Sequence, residues 1–104
     1  MISNIIADSG YAVRNQFQIT IPKAYFFQSY NSVVCRIDRN TKKITLSQHW
    51  DYSDTTRRYL YIFLRNHGYS DLLNRNRKNK ANTIRKAIAN NEIILRKTNS
   101  LAIK

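Results

Sequence analysis

The residues best suited to chemistry are a row of arginines and a tyrosine at spacings of three and four. Arg57, Arg58, Tyr61 and Arg65 fall on one face of a helix at this spacing. The positions four residues after the first two arginines hold Tyr61 and Ile62 rather than acidic side chains. Unpaired arginines suit phosphate contact, and an exposed tyrosine ring suits base stacking. We therefore expect this face to bind a polyanion.

A second group of basic residues follows this helix. The stretch NRNRKNK, residues 74–80, has no apolar anchor and is predicted to be a mobile surface loop. A further helix is predicted at about residues 80–90, with Ile84, Ala87 and Ile88 turned inward. The basic side chains of these two segments extend the predicted binding surface: Arg75, Arg77, Lys78, Lys80, Arg85 and Lys86.

A catalytic alternative rests on three side chains around the start of the first helix. His49, Asp51 and Asp54 are of the types that metal-dependent nucleases use, but their spacing matches no recognised metal site, and His67 is the only other imidazole. We expect instead that the two carboxylates hold backbone amides at the start of the helix. Gly-rich phosphate loops, nucleophile elbows and Cys/His zinc patterns do not occur. No enzymatic activity, metal or cofactor is therefore expected.

The sheet that must position these residues is predicted from alternating apolar and polar residues before Trp50. FQITI alternates strictly and ends at Pro22, and the polar stretch DRNTK is typical of a hairpin connection. The stretch EIILRK predicts a closing strand near the end of the chain. The predicted strands lie at about residues 15–21, 25–28, 32–38, 43–48 and 92–97.

After Trp50 the period changes to that of an amphipathic helix. Ser53 is the expected N-cap and Gly68 the expected stop. Leu60 and Phe63 are expected to face the sheet. Trp50 and Tyr52 are expected to be core anchors.

These elements predict an α+β fold, in which a small, mostly antiparallel sheet of four to five strands packs against two helices. A length of 104 residues fits one domain. We expect an N-terminal segment at residues 1–14, a core at 15–97 that includes the basic loop, and a flexible tail at 98–104.

Composition points to an anionic partner. The chain has 18 Lys and Arg against six Asp and Glu, for a net charge of +12, and most of the excess lies after residue 56. Cys35 is the single cysteine, which excludes an internal disulfide and is read as a small apolar residue on a strand. No apolar run reaches the ~18 residues that a membrane span needs, and the N-terminus lacks the features of a signal peptide. A cytoplasmic location is therefore expected.

Several motifs in the chain occur together in a known group of proteins. NQFQI, YFFQSYNSVV, ITL, WDYSDTTRRYLYIFL and IRKAIANNEIIL follow one another between about residues 15 and 95. In this they resemble a family of small uncharacterised proteins of phages and mobile elements in gut and low-GC Gram-positive bacteria. FQSY and WDYSxTTxxYxxxFL are the most specific parts, whereas RRYLYI and the basic insertion at 74–80 depart from the family pattern. The resemblance implies a phage-type accessory protein in the host bacterial cytosol and no established activity.

Three functions stay open. The first is a non-enzymatic protein that binds nucleic acid, either RNA or DNA, or a nucleoprotein complex. The second is an anti-CRISPR-type inhibitor that docks on a host CRISPR effector or its guide RNA, because small phage proteins of this size include such inhibitors. The third and least favoured is a small nuclease.

Overall fold

A six-stranded sheet runs through the protein, whose residues 1–104 are described by a computed structural model. The strands follow the order of the sequence, with antiparallel pairing from β1 to β5 and parallel pairing between β5 and β6. The α+β class and the mostly antiparallel sheet are confirmed, and there are six strands where four to five were expected. The strands are β1 (Ile2–Ile6), β2 (Ala12–Thr20), β3 (Ala24–Ser29), β4 (Ser32–Asp38), β5 (Ile44–Ser47) and β6 (Ile93–Arg96).

Three helices connect β5 to β6. They are α1 (Asp54–Asn66), the short α2 (Ser70–Leu73) and α3 (Lys80–Ala89). The first and last are the two predicted helices, and α2 is additional. Two 3-10 turns, Gln48–Asp51 and Asn74–Asn76, precede α1 and follow α2.

The two ends of α1 are fixed by the predicted residues. The Ser53 hydroxyl accepts a hydrogen bond from the Thr56 amide at 3.1 Å. Gly68 has a left-handed backbone (φ 92°), which lets its amide and that of Tyr69 donate to the carbonyls of Arg65 and Leu64. The N-cap and the stop are therefore both confirmed.

The main core lies between the helices and one face of the sheet. It joins 17 buried residues, among them Phe27 and Phe63, whose ring centroids are 5.9 Å apart. Trp50 belongs to this core, as predicted. Tyr52 does not, because the 3-10 turn directs Trp50 inward and leaves Tyr52 73% exposed. The prediction that Tyr52 is a core anchor is therefore wrong.

A smaller apolar cluster lies on the opposite face of the sheet, and the C-terminal tail covers it. Leu101 packs against this cluster of four buried residues, which includes Phe26 and Val33. The Leu101 amide donates to the Val33 carbonyl, and the Val33 amide donates to the Ser100 hydroxyl, both at 2.9 Å. Pairing of β5 with β4 stops at Cys35, so the backbone of Val33 is free to bond the tail. The tail therefore contacts the sheet at Ser100 and Leu101, and its predicted flexibility stays a prediction.

Two other segments differ from expectation. Residues 1–14 were predicted as a segment outside the core, but they contain β1, whose Ile5 is fully buried in the main core. The stretch 74–80 was predicted as a mobile surface loop, and it forms an exposed 3-10 turn followed by the N-cap of α3, while its mobility stays a prediction. Asparagine side chains hold it, since Asn79 accepts from the Asn82 amide at 3.0 Å and Asn76 accepts from the Asn79 amide at 3.2 Å.

Candidate functional site

A groove of about 830 Å³ lies between the turn after β1, the outer face of α1 and the start of α3. Ala7, Asp8 and Ser9 come from the turn, and Asp54 comes from the first turn of α1. We call this the helix-side groove. Five of the predicted site residues line it: Arg57, Arg58, Tyr61, Arg65 and Lys80.

The arginines of this region are mostly paired with carboxylates, contrary to the expectation from the sequence. Arg57 bonds both Asp51 and Asp54, and Arg65 bonds Asp8 at 2.8 Å. The prediction of an unpaired arginine row is therefore wrong for these two. That prediction depended only on the residues four positions after each arginine, whereas the acidic partners precede the arginines in sequence.

Two further arginines of the predicted surface are also paired. Arg85 bonds Asp51 at 2.7 Å, and Arg75 bonds both carboxylate oxygens of Glu92 at 2.8 and 2.9 Å. These partners are 34 and 17 residues away in sequence. Spacing along a helix could not have indicated them.

Asp51 is the residue that holds the arginines in place at one end of the groove. Its two oxygens accept from Arg57 and Arg85, and the Arg85 guanidinium also lies 5.6 Å from the centroid of the Trp50 ring. Burial raises the pKa of the Asp51 carboxyl, but the hydrogen bonds from Arg85 and Arg57 lower it by more, so this pKa lies below its usual range. Asp51 is therefore ionised at neutral pH.

The side chains of Asp51 and Asp54 do not hold backbone amides at the start of α1. Their oxygens accept from arginines, and Ser53 alone supplies the side-chain cap. The expectation of capping carboxylates is therefore wrong. The sequence contained a local signal for one of these pairs, because Asp54 precedes Arg57 by three residues.

The remaining predicted basic residues form no ion pair. Arg58 and Lys80 lie in the helix-side groove, and Lys86 is exposed on α3. Arg77 and Lys78 lie in the turn before α3 and are exposed. The cations without a carboxylate partner on this surface are Arg58, Arg77, Lys78, Lys80 and Lys86.

Tyr61 forms part of the groove wall. Its ring is partly buried and packs against the main core, and this burial raises the pKa of the phenol. A ring held in this way has little free surface for stacking. The groove therefore offers its cations to a ligand more than it offers an aromatic platform.

A second basic groove, of about 580 Å³, lies on the opposite face of the sheet beside the tail. Its basic lining residues are Arg36, Arg96, Lys97 and Lys104, and no Asp or Glu lines it. Arg36 is fixed by bonds to Asp38 at 3.1 Å and to the main-chain oxygen of Lys104 at 3.3 Å. We call this the sheet-side groove. The sequence analysis did not predict this groove, although strand alternation places Arg36 and Thr45 opposite each other on one face of the sheet.

Other reactive side chains have structural surroundings. Cys35 is fully buried on β4, where burial raises the pKa of its thiol, so its reading as an apolar strand residue is confirmed. No group of three or more His, Cys, Asp or Glu side chains lies close enough together to hold a metal ion. None of the helices combines the length and apolar character that a membrane crossing needs.

Comparison with known proteins gives one match. The model of a family of unknown function, DUF8033, matches residues 2–82. The chain belongs to this family. The matched part runs from β1 to the first residues of α3, so it contains every residue that lines the helix-side groove. The sheet-side groove instead depends on β6 and the tail, which lie beyond the match.

No curated protein and no solved structure matches the chain. The family carries no description of an activity. The resemblance to phage and mobile-element proteins stays a prediction.

Proposed function

We propose that the protein binds nucleic acid, RNA or DNA, through the helix-side groove and without an enzymatic activity of its own. The observation that carries this proposal is the convergence of four basic side chains on one groove. Arg57, Arg58 and Arg65 reach it from α1, and Lys80 reaches it from α3. Cations collected from two helices can contact successive phosphates of a strand.

The ion pairs in the groove do not prevent phosphate binding. Asp8 and Asp54 are 73% and 92% exposed at their side chains, and exposed pairs of this kind contribute only about 0–1 kcal/mol. A phosphate can therefore displace them. The less exposed Asp51 keeps Arg57 and Arg85 oriented, which lowers the entropy that binding must remove.

Binding in this groove is expected to depend little on base sequence. Guanidinium and ammonium groups line it, and the half-buried Tyr61 leaves little ring surface for a base. Contacts to phosphates position a nucleic acid without reading its bases.

The second candidate is an anti-CRISPR-type inhibitor that docks on a host CRISPR effector or its guide RNA. The unpaired cations outside the groove favour it, because Arg77, Lys78 and Lys86 widen the basic surface beyond the path of one strand. A nucleoprotein machine presents phosphates over such a wide area. Tagged protein purified from bacterial cells with and without nuclease treatment distinguishes the two, since only a partner held through free nucleic acid is lost on treatment.

A salt titration tests direct binding. With about four phosphate contacts, one for each basic side chain of the groove, affinity for a fluorescent oligonucleotide should fall on the order of 10²-fold between about 50 and 200 mM salt. A flat response would contradict the proposal.

A charge-matched pair of variants tests the groove itself. Arg58→Ser with Lys80→Ser should lower the slope of log affinity against log salt by about two, since each lost phosphate contact removes about one. Arg14→Ser with Lys23→Ser removes the same charge at two exposed positions outside both grooves. If both double variants bind alike, the effect is one of net charge and the groove is not the binding site.

A further inference from the structure

An exposed aromatic patch lies next to the helix-side groove. Tyr30, His49 and Tyr52 surround a depression of about 420 Å³. Its other lining residues are small and polar, and none is Lys, Arg, Asp or Glu: Ser29, Asn31, Ser32, Ser53 and Thr56. We call these residues the aromatic patch. This lining differs from that of the two basic grooves, although the chain as a whole has a net charge of +12.

The rings of the patch take no part in the core. Tyr52 is 73% exposed and Tyr30 is 58% exposed, and neither belongs to an apolar cluster. The His49 and Tyr52 rings are stacked, with centroids 4.3 Å apart and planes 12° from parallel. This contact orients the Tyr52 ring while most of its surface stays in solvent. Folding therefore leaves the two tyrosines available for a ligand.

The backbone around Tyr30 also indicates that folding does not require a tyrosine ring at this position. Tyr30 lies in the two-residue turn between β3 and β4 with a left-handed backbone, φ 53°. Glycine and asparagine adopt this conformation more readily than tyrosine does. The turn is fixed by the Tyr30 amide, which donates to the Asn15 carbonyl at 2.7 Å. The turn conformation therefore gives no reason for a tyrosine at this position.

The patch and the groove meet at the first turn of α1. Ser53 and Thr56 line the patch, whereas Asp54 and Arg57 line the groove. Residues that alternate between the two surfaces within one helical turn place stacking rings directly beside phosphate-binding cations. This is the combination that proteins use to hold single strands.

We propose that the aromatic patch stacks an unpaired base of a single-stranded nucleic acid whose phosphates lie in the helix-side groove. This rests on the proposed function and specifies its substrate. A duplex keeps its bases inside the stack, so an exposed ring can pack only on a base that is unpaired. The hydroxyl and amide groups of the patch can bond the edge of that base without adding charge.

The test compares three ligands of equal phosphate number: a short single strand, the same strand with abasic sites, and a duplex of half its length. The wild-type protein should bind the normal single strand about tenfold more tightly than the other two, as stacking of one or two bases provides. Tyr30→Ala with Tyr52→Ala should abolish this preference and leave the salt dependence unchanged. Tyr30→Phe with Tyr52→Phe should keep the preference, since the rings remain.

Tyr11→Ala is the matched control. Tyr11 is 77% exposed and lies outside the patch, so its loss should leave the preference intact. All variants should keep the wild-type melting temperature, because none of these rings is buried.

The outcomes separate the two proposals. Equal affinity for the normal and abasic strands with steep salt dependence would overturn the stacking inference and leave the proposed function standing. Affinity for the duplex equal to that for the single strand would do the same. Binding that is absent, or independent of salt, for all three ligands would contradict both. A preference that survives in the double alanine variant would place the stacking rings elsewhere.

Discussion

The two faces of the sheet both carry a basic groove, but they are built differently. On the helix side, a core of 17 buried residues supports α1 and α3, and the groove mixes cations with Asp8 and Asp54. On the opposite face, four buried residues lie under the tail, and the lining of the groove contains basic side chains and no Asp or Glu. The helix side therefore has the more rigid support, and the sheet side has the less neutralised charge.

This difference shows that net charge alone does not locate a binding surface. A diffuse ligand such as salt counterions would favour the sheet-side groove, where Arg96 and Lys97 have no acidic partner. A nucleic-acid strand that must be held in one position binds better to side chains that are already fixed by ion pairs and packing. The helix-side groove is larger and adjoins the aromatic patch, so we expect it to be the stronger site.

The largest expected effect concerns the support of the helix side. Phe63→Ala should lower the free energy of unfolding by about 3–5 kcal/mol, because it leaves a cavity beside Phe27 in the main core. Arg58→Ala on the outer face of α1 should change it by less than about 0.5 kcal/mol. Urea denaturation measures both. Similar losses for the two variants would mean that α1 does not pack as described.

The support of the opposite face should be weaker. Leu101→Ala should cost about 1–2 kcal/mol, since its side chain is only partly buried over a small cluster. Ile103→Ala, at an exposed tail position outside that cluster, is the control and should have almost no effect. A loss from Leu101→Ala as large as that from Phe63→Ala would show that the two faces are equally important for stability.

Removal of charge from each groove compares them as binding sites. Arg58→Ser with Lys80→Ser should weaken oligonucleotide binding by about tenfold at moderate salt. Arg96→Ser with Lys97→Ser removes the same charge from the sheet-side groove and should weaken oligonucleotide binding by less. Fluorescence anisotropy titrations measure the two affinities, and the reverse order would move the binding site to the sheet side.

Removal of an acidic residue should have a smaller effect of opposite sign. Asp8→Asn frees Arg65 and should strengthen binding by about two- to fivefold, the range expected for one exposed ion pair. Asp71→Asn removes an exposed carboxylate that forms no ion pair and lies outside the helix-side groove. An equal gain from Asp71→Asn would indicate a general charge effect.

The smallest expected effect is the pH dependence at the hairpin that supports the sheet-side groove. The Thr41 amide, the Arg36 guanidinium and the Asn40 amide lower the pKa of Asp38 from 3.8 to about 2. A lowered carboxyl pKa stabilises the folded state above the unfolded value, and this contribution is lost as pH falls from about 4 towards 2. Asp38→Asn should therefore lower the melting temperature near neutral pH and have little effect near pH 2. A difference in melting temperature between the wild-type protein and Asp38→Asn that stays constant across this pH range would contradict this prediction.

Much of the fold was predictable because its signals are local. Alternation in FQITI covers the last residues of β2, and the 3.6-residue period after Trp50 corresponds to α1. Ser53 and Gly68 mark the ends of that helix, as their side-chain and backbone properties require. The strand β1 was missed because its apolar residues do not alternate regularly, and α2 because four residues are too few for a period.

The sequence by itself determined the α+β class, the helix ends, the excess of positive charge and the basic residues that face outward. Only the tertiary structure decided most of the ion pairs of those residues, because the Arg65–Asp8 pair, for example, spans 57 residues. It likewise placed the tail on the sheet, where the bond between Val33 and Ser100 spans 67 residues. It also placed Tyr30 and Tyr52 at one depression, although they lie on separate turns. Periodicity and capping report neighbours along the chain, whereas these contacts depend on how the sheet brings distant segments together.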